Sequence, residues 1–322
     1  MEQSERVQRF SRLRIVAVIA LCSLAYFLYR LFTVYTVRTG QCEFVKSDPL
    51  PHVTGETLPR IPTSFPARDA TAAGARPLVV MSYNIEGHAV LWRSWHIRGI
   101  ADAIRAAHPD IVGLQEVHRN TFGSRQHDQI AELAKLTGMN FVFGKSYTPS
   151  GGEFGNAILT RGTILSTKVH ALPSVGEPRT LLESRIDVDG HQMNFFVTHF
   201  VTWGKLGRTS RKAQSECVIE YVSRSALPYI LAGDLNTTPD APEIAILRNS
   251  NILKFCGEIG DQTHRFTHQR IDYIFSDPGW QLRNARVLHS GTSDHWPIMA
   301  ELGWVLSPAD SQSPLEKSSQ RF

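Results

Sequence analysis

Cysteine is scarce: four residues in a chain of 322 cannot make a dense disulfide framework, and no Cys/His array offers a zinc or thiolate centre. Internal repeats are lacking. The body also lacks an excess of either charge. The formal +4 comes from the amino-terminal quarter, where residues 1–76 hold ten Lys/Arg against six Asp/Glu. Bulk positive charge for gripping nucleic acid is therefore missing from everything that follows. What is present is 42% hydrophobic and 20% charged residues, the balance of a chain that buries a core, which excludes wholesale disorder and collagen-like classes.

Long apolar runs are confined to one place. Ile15 to Val37 is interrupted only by Arg30, and its 23 residues cover roughly 35 Å as a helix, enough for a bilayer core of ~30 Å. Arg6, Arg9, Arg12 and Arg14 precede it and place the basic stretch 1–14 in the cytoplasm, although Arg38 and Lys46 weaken the contrast. The expectation is a single-pass anchor at 15–37 with the remainder on the non-cytoplasmic side. The alternative is a cleaved secretory signal and a secreted protein, since Ser23 and Ala25 have the spacing of a cleavage site. Against it, Tyr26, Phe27, Leu28, Leu31 and Phe32 would be left for a soluble protein to hide. Residues 38–77 are rich in proline and read as a semi-extended stalk, 78–304 as a catalytic domain and 305–322 as a disordered tail. Cys42, Cys217 and Cys256 are an odd set, so an oxidising compartment leaves one unpaired or joined to another chain; the pairing stays open.

From Leu78 short β-branched runs alternate with helical periodicity. A strand at Leu78 to Tyr83 ends in Asn84. A helix follows, with Ile97, Ile100, Ala101 and Ile104 on one face, and His108-Pro109 stops it before a strand at Ile111 to Leu114, with Gln115 and Glu116 at its end. Further helices are expected at about Asp128 to Leu136, Ser210 to Ser223 and Ala241 to Asn249. Strands are expected at Phe141 to Phe143, from Gly155-Asn156 to Thr160, Tyr229 to Ala232, Ile271 to Phe275, Ala285 to Leu288 and Ile298 to Leu302. Asp189-Gly190 between Arg185–Val188 and Met193–Thr198 signals an antiparallel hairpin, which rules out a purely parallel sheet. This pattern suits two packed mixed sheets with helices outside.

Polar residues gather where apolar strands stop: Asn84, Glu116, Asn156, His199, Asp234 with Asn236, Asp272, and Asp294 with His295. Taken singly, the asparagines suit turns, Asp234 a cap, His199 a structural histidine and Glu116 a surface carboxylate. Together they would line one mouth of a rigid scaffold. Mg²⁺ takes oxygen ligands, often one or two carboxylates plus water, so Glu116 with Asp294 and Asn84 suffices; Mn²⁺ could substitute. An attacking water needs a base, and His295 is the candidate because imidazole is neutral near neutral pH.

The blocks Ser82-Tyr83-Asn84-Ile85, Gln115-Glu116-Val117, Gly155-Asn156-Ala157-Ile158, Thr198-His199-Phe200, Gly233-Asp234-Leu235-Asn236, Arg270-Ile271-Asp272-Tyr273 and Ser293-Asp294-His295-Trp296-Pro297 resemble, in order, the signatures of the endonuclease/exonuclease/phosphatase superfamily. The resemblance covers about Leu78 to Leu302. It implies a four-layer α/β/β/α sandwich and divalent-metal-dependent cleavage of phosphate esters. It also implies that Asp272 orients His295, that Asp234 and Asn236 position water and the phosphoryl group, and that Asn156 stabilises transition-state charge. His199 would hydrogen-bond a non-bridging oxygen or protonate the leaving group; these roles could be exchanged. Arg179 stands where many relatives carry a phosphate-facing arginine, with a surface salt bridge as the alternative.

The Thr-His-Phe block is similar to the branch with pancreatic-type deoxyribonucleases, sphingomyelinases and inositol-polyphosphate phosphatases, and less similar to apurinic-site repair endonucleases. A phosphodiesterase acting on nucleic acid or a lipid headgroup is the leading expectation, with a phosphomonoesterase on a soluble ester as alternative, and no protein partner is expected. Trp203, Lys205, Arg208, Arg211 and Lys212 offer an aromatic and basic rim, or simply a solvated helix face. The non-enzymatic alternative, a membrane-tethered scaffold on a decayed hydrolase fold, is opposed by the full set of site residues.

Overall fold

The structure, a computed structural model, describes Cys42 and residues 76–202, 204–257 and 260–303. The expected basic stretch and apolar span, nearly all of the stalk, and the tail lie outside the described residues. No helix among the described residues is long and apolar enough to cross a membrane.

Two mixed sheets carry the domain, each built around one strand–helix–strand unit. In the first, β1 (Leu78–Asn84) leads through helix α1 (His96–Ala107) to β2 (Ile111–Arg119), which pairs parallel to β1. Antiparallel neighbours extend both sides: β12 (Ile298–Gly303) and β11 (Gln281–Val287) beyond β1, and β4 (Glu153–Thr160) and β3 (Asn140–Tyr147) beyond β2. In the second, β7 (His191–His199) leads through α3 (Gly204–Ser223) to its parallel partner β8 (Tyr229–Asp234). It is flanked by β6 (Arg179–Val188) and β5 (Thr163–Leu172) on one side and by β10 (Asp272–Ser276) and the short β9 (Lys254–Phe255) on the other.

Strand period two explains the layers. Leu78 and Val80 of β1 face the second sheet with Phe195, Val197, Ala232 and Ile274, while Val79, Met81 and Tyr83 face Ile97, Ile100 and Ile104 of α1. Helix α2 (Gln129–Thr137), capped by Asp128, joins α1 on that outer side. On the opposite side Val218 and Val222 of α3 and Ile244 and Leu247 of α4 (Pro242–Arg248) cover Phe196, Leu231 and Phe275. The order is therefore helix, sheet, sheet, helix. Each fully buried Leu, Ile or Phe contributes about 1.5–3 kcal/mol of transfer free energy. Gly113 sits where the sheets approach closely; a Cβ there would lie 2.9 Å from Val197. The Asp189-Gly190 hairpin forms with both residues at positive φ.

Several boundaries differ from the sequence reading. Strand β5 was not read at all, because Lys168 and other polar residues on this exposed edge strand mask its alternation. Helix α3 begins six residues earlier than expected. β2 does not stop at Leu114 but continues to Arg119, so Glu116 lies inside a strand rather than at its end. Cys42 pairs with Cys217 of α3, and Cys256 is free and buried.

Candidate active site

The site lies where the two parallel pairs end. Asn84 ends β1, His199 ends β7 opposite Asp234 at the end of β8, and Asp272 begins β10 opposite Asp234. Asp294 and His295 precede β12, the antiparallel neighbour of β1. Glu116 arrives differently. The β2–β4 ladder shifts register between Leu114 and Val117, and Glu116 takes φ 58° at this bulge, which turns its side chain toward the mouth. Gly87 packs beneath it: a Cβ there would meet the Glu116 carbonyl at 2.1 Å.

The floor is buried and tied together by hydrogen bonds, with Asp272 Oδ1 and Arg179 Nε left without a partner. His295 Nδ1 lies 2.8 Å from Asp272 Oδ2, and its Nε2 faces Asp234 Oδ2 at 3.8 Å. Backbone donors fix Asp272's strand end, since Ile271 and Asp272 N–H both donate to Thr263 Oγ1. Asn236, at φ 50°, donates to His199 Nε2 at 2.8 Å and to the Phe200 carbonyl. Arg179 is no surface salt bridge: it is buried, with Nη1 3.4 Å from His199 Nδ1 and Nη2 3.3 Å from Glu177. Asn156 uses one amide hydrogen on the Thr180 carbonyl, tying β4 to β6.

The lip is different. The side chains of Glu116 and Asp294 remain 24% and 26% exposed, against 1% for Asp234 and Asp272. Asn84 bridges lip and floor, donating to Glu116 Oε1 and Asp234 Oδ2 at 3.0 Å each, while its Oδ1 accepts from Glu86 N–H. Asn84 thus holds the acids apart, and its oxygen is already engaged. Two neighbours escaped the sequence reading. Glu86 accepts from Asp294 N–H and pairs with Arg93, and His264 Nε2 lies 3.8 Å from Asp294. Glu86 had a signal, an acid two residues past Asn84; His264 sits in a loop with none.

Electrostatics separate the groups further. Burial and then the charge of Asp272 push the Asp234 carboxyl up to about 7. Burial alone would lower His295, but Asp272 and Asp234 outweigh it and raise the imidazole to about 10. The two buried acids that face His295 thus favour its charged form over the neutral imidazole expected of a base. His199 is the neutral imidazole, held well below its ordinary value by burial, Arg179 and His295.

The donor set suits a hard dication. Glu86, Glu116, Asp234, Asp272 and Asp294 gather at a mouth whose nearby arginines are Arg93, Arg179 and Arg265, and the carboxylates that water reaches are those of the lip. Asp294 with His264 and His295, and Asp234 with Asp272 and His295, also lie close enough to share an ion. The second trio is better described as a hydrogen-bonded dyad beside an acid, since its atoms are buried and committed to one another. The expected basic rim does not hold as a unit. Arg211 is buried in an ion pair with Glu243 of α4, Arg208 and Lys212 are exposed on α3, and the side chains of Trp203 and Lys205 lie outside the described residues.

Solved structures share this architecture. An endonuclease/exonuclease/phosphatase family protein from Bacteroides thetaiotaomicron superposes with a TM-score of 0.61 at 22% identity, over 72% of this chain and all of that one. A mannosyl-6-phosphatase from the same organism gives 0.57 at 22% identity, over 70% of this chain and all of that one. D. rerio TDP2 complexed with a single-strand DNA product gives 0.58 at 20% identity, over 70% of this chain and 99% of that one. No curated protein matches the chain. The family model for the Endonuclease/Exonuclease/phosphatase family matches residues 81–295, from the strand that ends in Asn84 to His295 itself, and the chain belongs to that family.

Proposed function

We propose that this chain is a divalent-metal-dependent phosphodiesterase held at the non-cytoplasmic face of a membrane. One observation carries the reading: the buried His295–Asp272 dyad faces Asp234 beneath an open lip of Glu116 and Asp294. Glu116 and Asp294 would hold Mg²⁺ or Mn²⁺, with Asn84 fixing Glu116 relative to Asp234. A bound dication would polarise the phosphoryl oxygen and stabilise the leaving oxygen. Asp272 fixes the His295 ring, and Asp234 and His295 together hold and exchange the proton taken from the attacking water. Neutral His199 accepts from Asn236 at Nε2, so its single N–H lies at Nδ1 beside the Arg179 guanidinium, and the two would meet a non-bridging oxygen together, which suits His199 better than acid catalysis as an imidazolium. Asn156 adds transition-state stabilisation from the adjacent strand.

Acids outnumber arginines at this mouth, which favours a monoanionic diester over a dianionic monoester. The apolar run at 15–37 supports the membrane tether, and the Cys42–Cys217 disulfide supports an oxidising compartment. The test compares bis-p-nitrophenyl phosphate with p-nitrophenyl phosphate, with Mg²⁺, with Mn²⁺ and with chelator. Diester turnover abolished by chelator is expected. Equal turnover with chelator, or none from folded protein supplied with either ion, overturns the hydrolase. Protease protection of the full chain in sealed membranes checks the orientation.

A further inference from the structure

The disulfide changes the length of the tether. Without it, residues 38–77 could carry the domain about 140 Å from the membrane. Cys42 is bonded to Cys217 in the middle of α3, so only residues 38–41 separate the apolar run from a fixed point on the domain, about 18 Å at full extension. With the Ile15–Val37 run in a bilayer, the body would be held within that reach of its surface rather than on a long stalk.

Among the described residues the most exposed apolar side chains are Trp92, Trp95, Phe122 and Phe266, 57–72% exposed and all on loops, while Leu165, Val169 and Val175 are less exposed on and just after β5. Trp92 packs edge-on against His88, whose ring nitrogen is 3.8 Å from Glu116. The loop bearing Phe122 is tied to Leu91 by Arg125. Phe266 packs against His264, beside Asp294. Water-exposed indole and phenyl rings ringing a polar opening are what an enzyme needs to rest on the polar–apolar boundary of a bilayer.

We infer that these four aromatics seat the mouth in the leaflet next to the Ile15–Val37 span, and that the substrate is the phosphodiester of a lipid headgroup in that leaflet. This rests on the phosphodiesterase reading and on the span, and it names the substrate class. Base stacking on single-stranded nucleic acid is the competing use of such rings. The short tether favours lipid, because it confines the site to the surface where headgroups are concentrated.

The experiment uses the full chain reconstituted with Mg²⁺ in vesicles of phosphatidylcholine and sphingomyelin, assayed for release of phosphorylated headgroup and for hydrolysis of bis-p-nitrophenyl phosphate. Trp95 and Phe122 are exposed and have no part in the proposed chemistry, so Trp95→Ser/Phe122→Ser is expected to lower headgroup release about tenfold while soluble-diester turnover stays within about twofold. Brominated lipids should quench tryptophan fluorescence, and Trp92→Ser/Trp95→Ser should remove most of that quenching; the apolar span itself contains no tryptophan. Equal loss on both esters overturns the inference, as does a variant impaired only on single-stranded DNA. Peptide mapping that finds Cys42 and Cys217 as free thiols removes the short tether and overturns it too. Soluble-diester turnover without any headgroup release sinks the lipid substrate but spares the phosphodiesterase. Turnover of neither ester sinks both, and persistent quenching in that case leaves the docking intact.

Discussion

The two halves of the sandwich have the same plan and opposite chemistry. Each is six strands around one parallel pair joined by a crossover helix, and each delivers polar residues at the ends of that pair. The first half supplies Asn84 and Glu116, with Asp294 entering beside β1. The second supplies His199, Asp234 and Asp272. The lip carboxylates keep contact with solvent, and the floor carboxylates are sealed and hydrogen-bonded. An acid that will bind a hydrated ion must stay reachable by water, whereas an acid that manages a proton gains from burial because its pKa climbs toward the working pH. The crossover helices differ as well. α1 is anchored by an apolar stripe, while α3 buries Arg211, Gln214 and Ser215, with Arg211 paired to Glu243.

The comparison can be broken most decisively at the floor. His295→Ala is expected to lower turnover by about 10²-fold or more in protein that still folds, with some loss of thermal stability because Asp272 and Asp234 lose their buried partner, and near-normal rates would remove His295 from proton transfer. Next comes the ion pair that distinguishes the second crossover. Glu243→Ala leaves the Arg211 guanidinium buried without its carboxylate and should cost about 3–5 kcal/mol in urea unfolding; a loss within ordinary surface values would mean that water reaches the pair. The lip is tested by titration. Glu116→Gln and Asp294→Asn should each raise the Mg²⁺ concentration for half-maximal rate by about tenfold or more, while Asp234→Asn lowers the rate at saturating Mg²⁺ without that shift. Identical Mg²⁺ curves for all three would erase the distinction between lip and floor. The smallest effect concerns Cys256, whose thiol burial pushes up to about 11. Folded protein should resist iodoacetamide at pH 8, where the thiolate is a minor species, and label only as denaturant opens the core.

Legibility differed between the halves. Helix α1 could be read from Ile97, Ile100, Ala101 and Ile104, because its buried face is apolar at every turn. Helix α3 was read short, because Gly204 and Gly207 in its first turn and a half are poor helix formers. The strand-end motifs placed Asn84, Asp234, Asp272 and His295 at one opening, since each stands at one end of an apolar run. Glu116 was assigned to the same opening, but by a strand that ends there; the bulge that actually turns it is a property of the β2–β4 pairing. Glu86 carried only its place two residues past Asn84, and His264 carried no pattern at all.

Sequence alone determined the layered α/β architecture, the family and the chemical types gathered at the mouth, because hydrophobic period and ordered short motifs are local and survive without neighbours. Tertiary structure decided which carboxylates stay wet, which imidazole is charged, and that Cys42 rather than Cys256 partners Cys217. Those outcomes depend on burial and on distances between residues far apart in the chain, and neither exists until the two sheets close on each other.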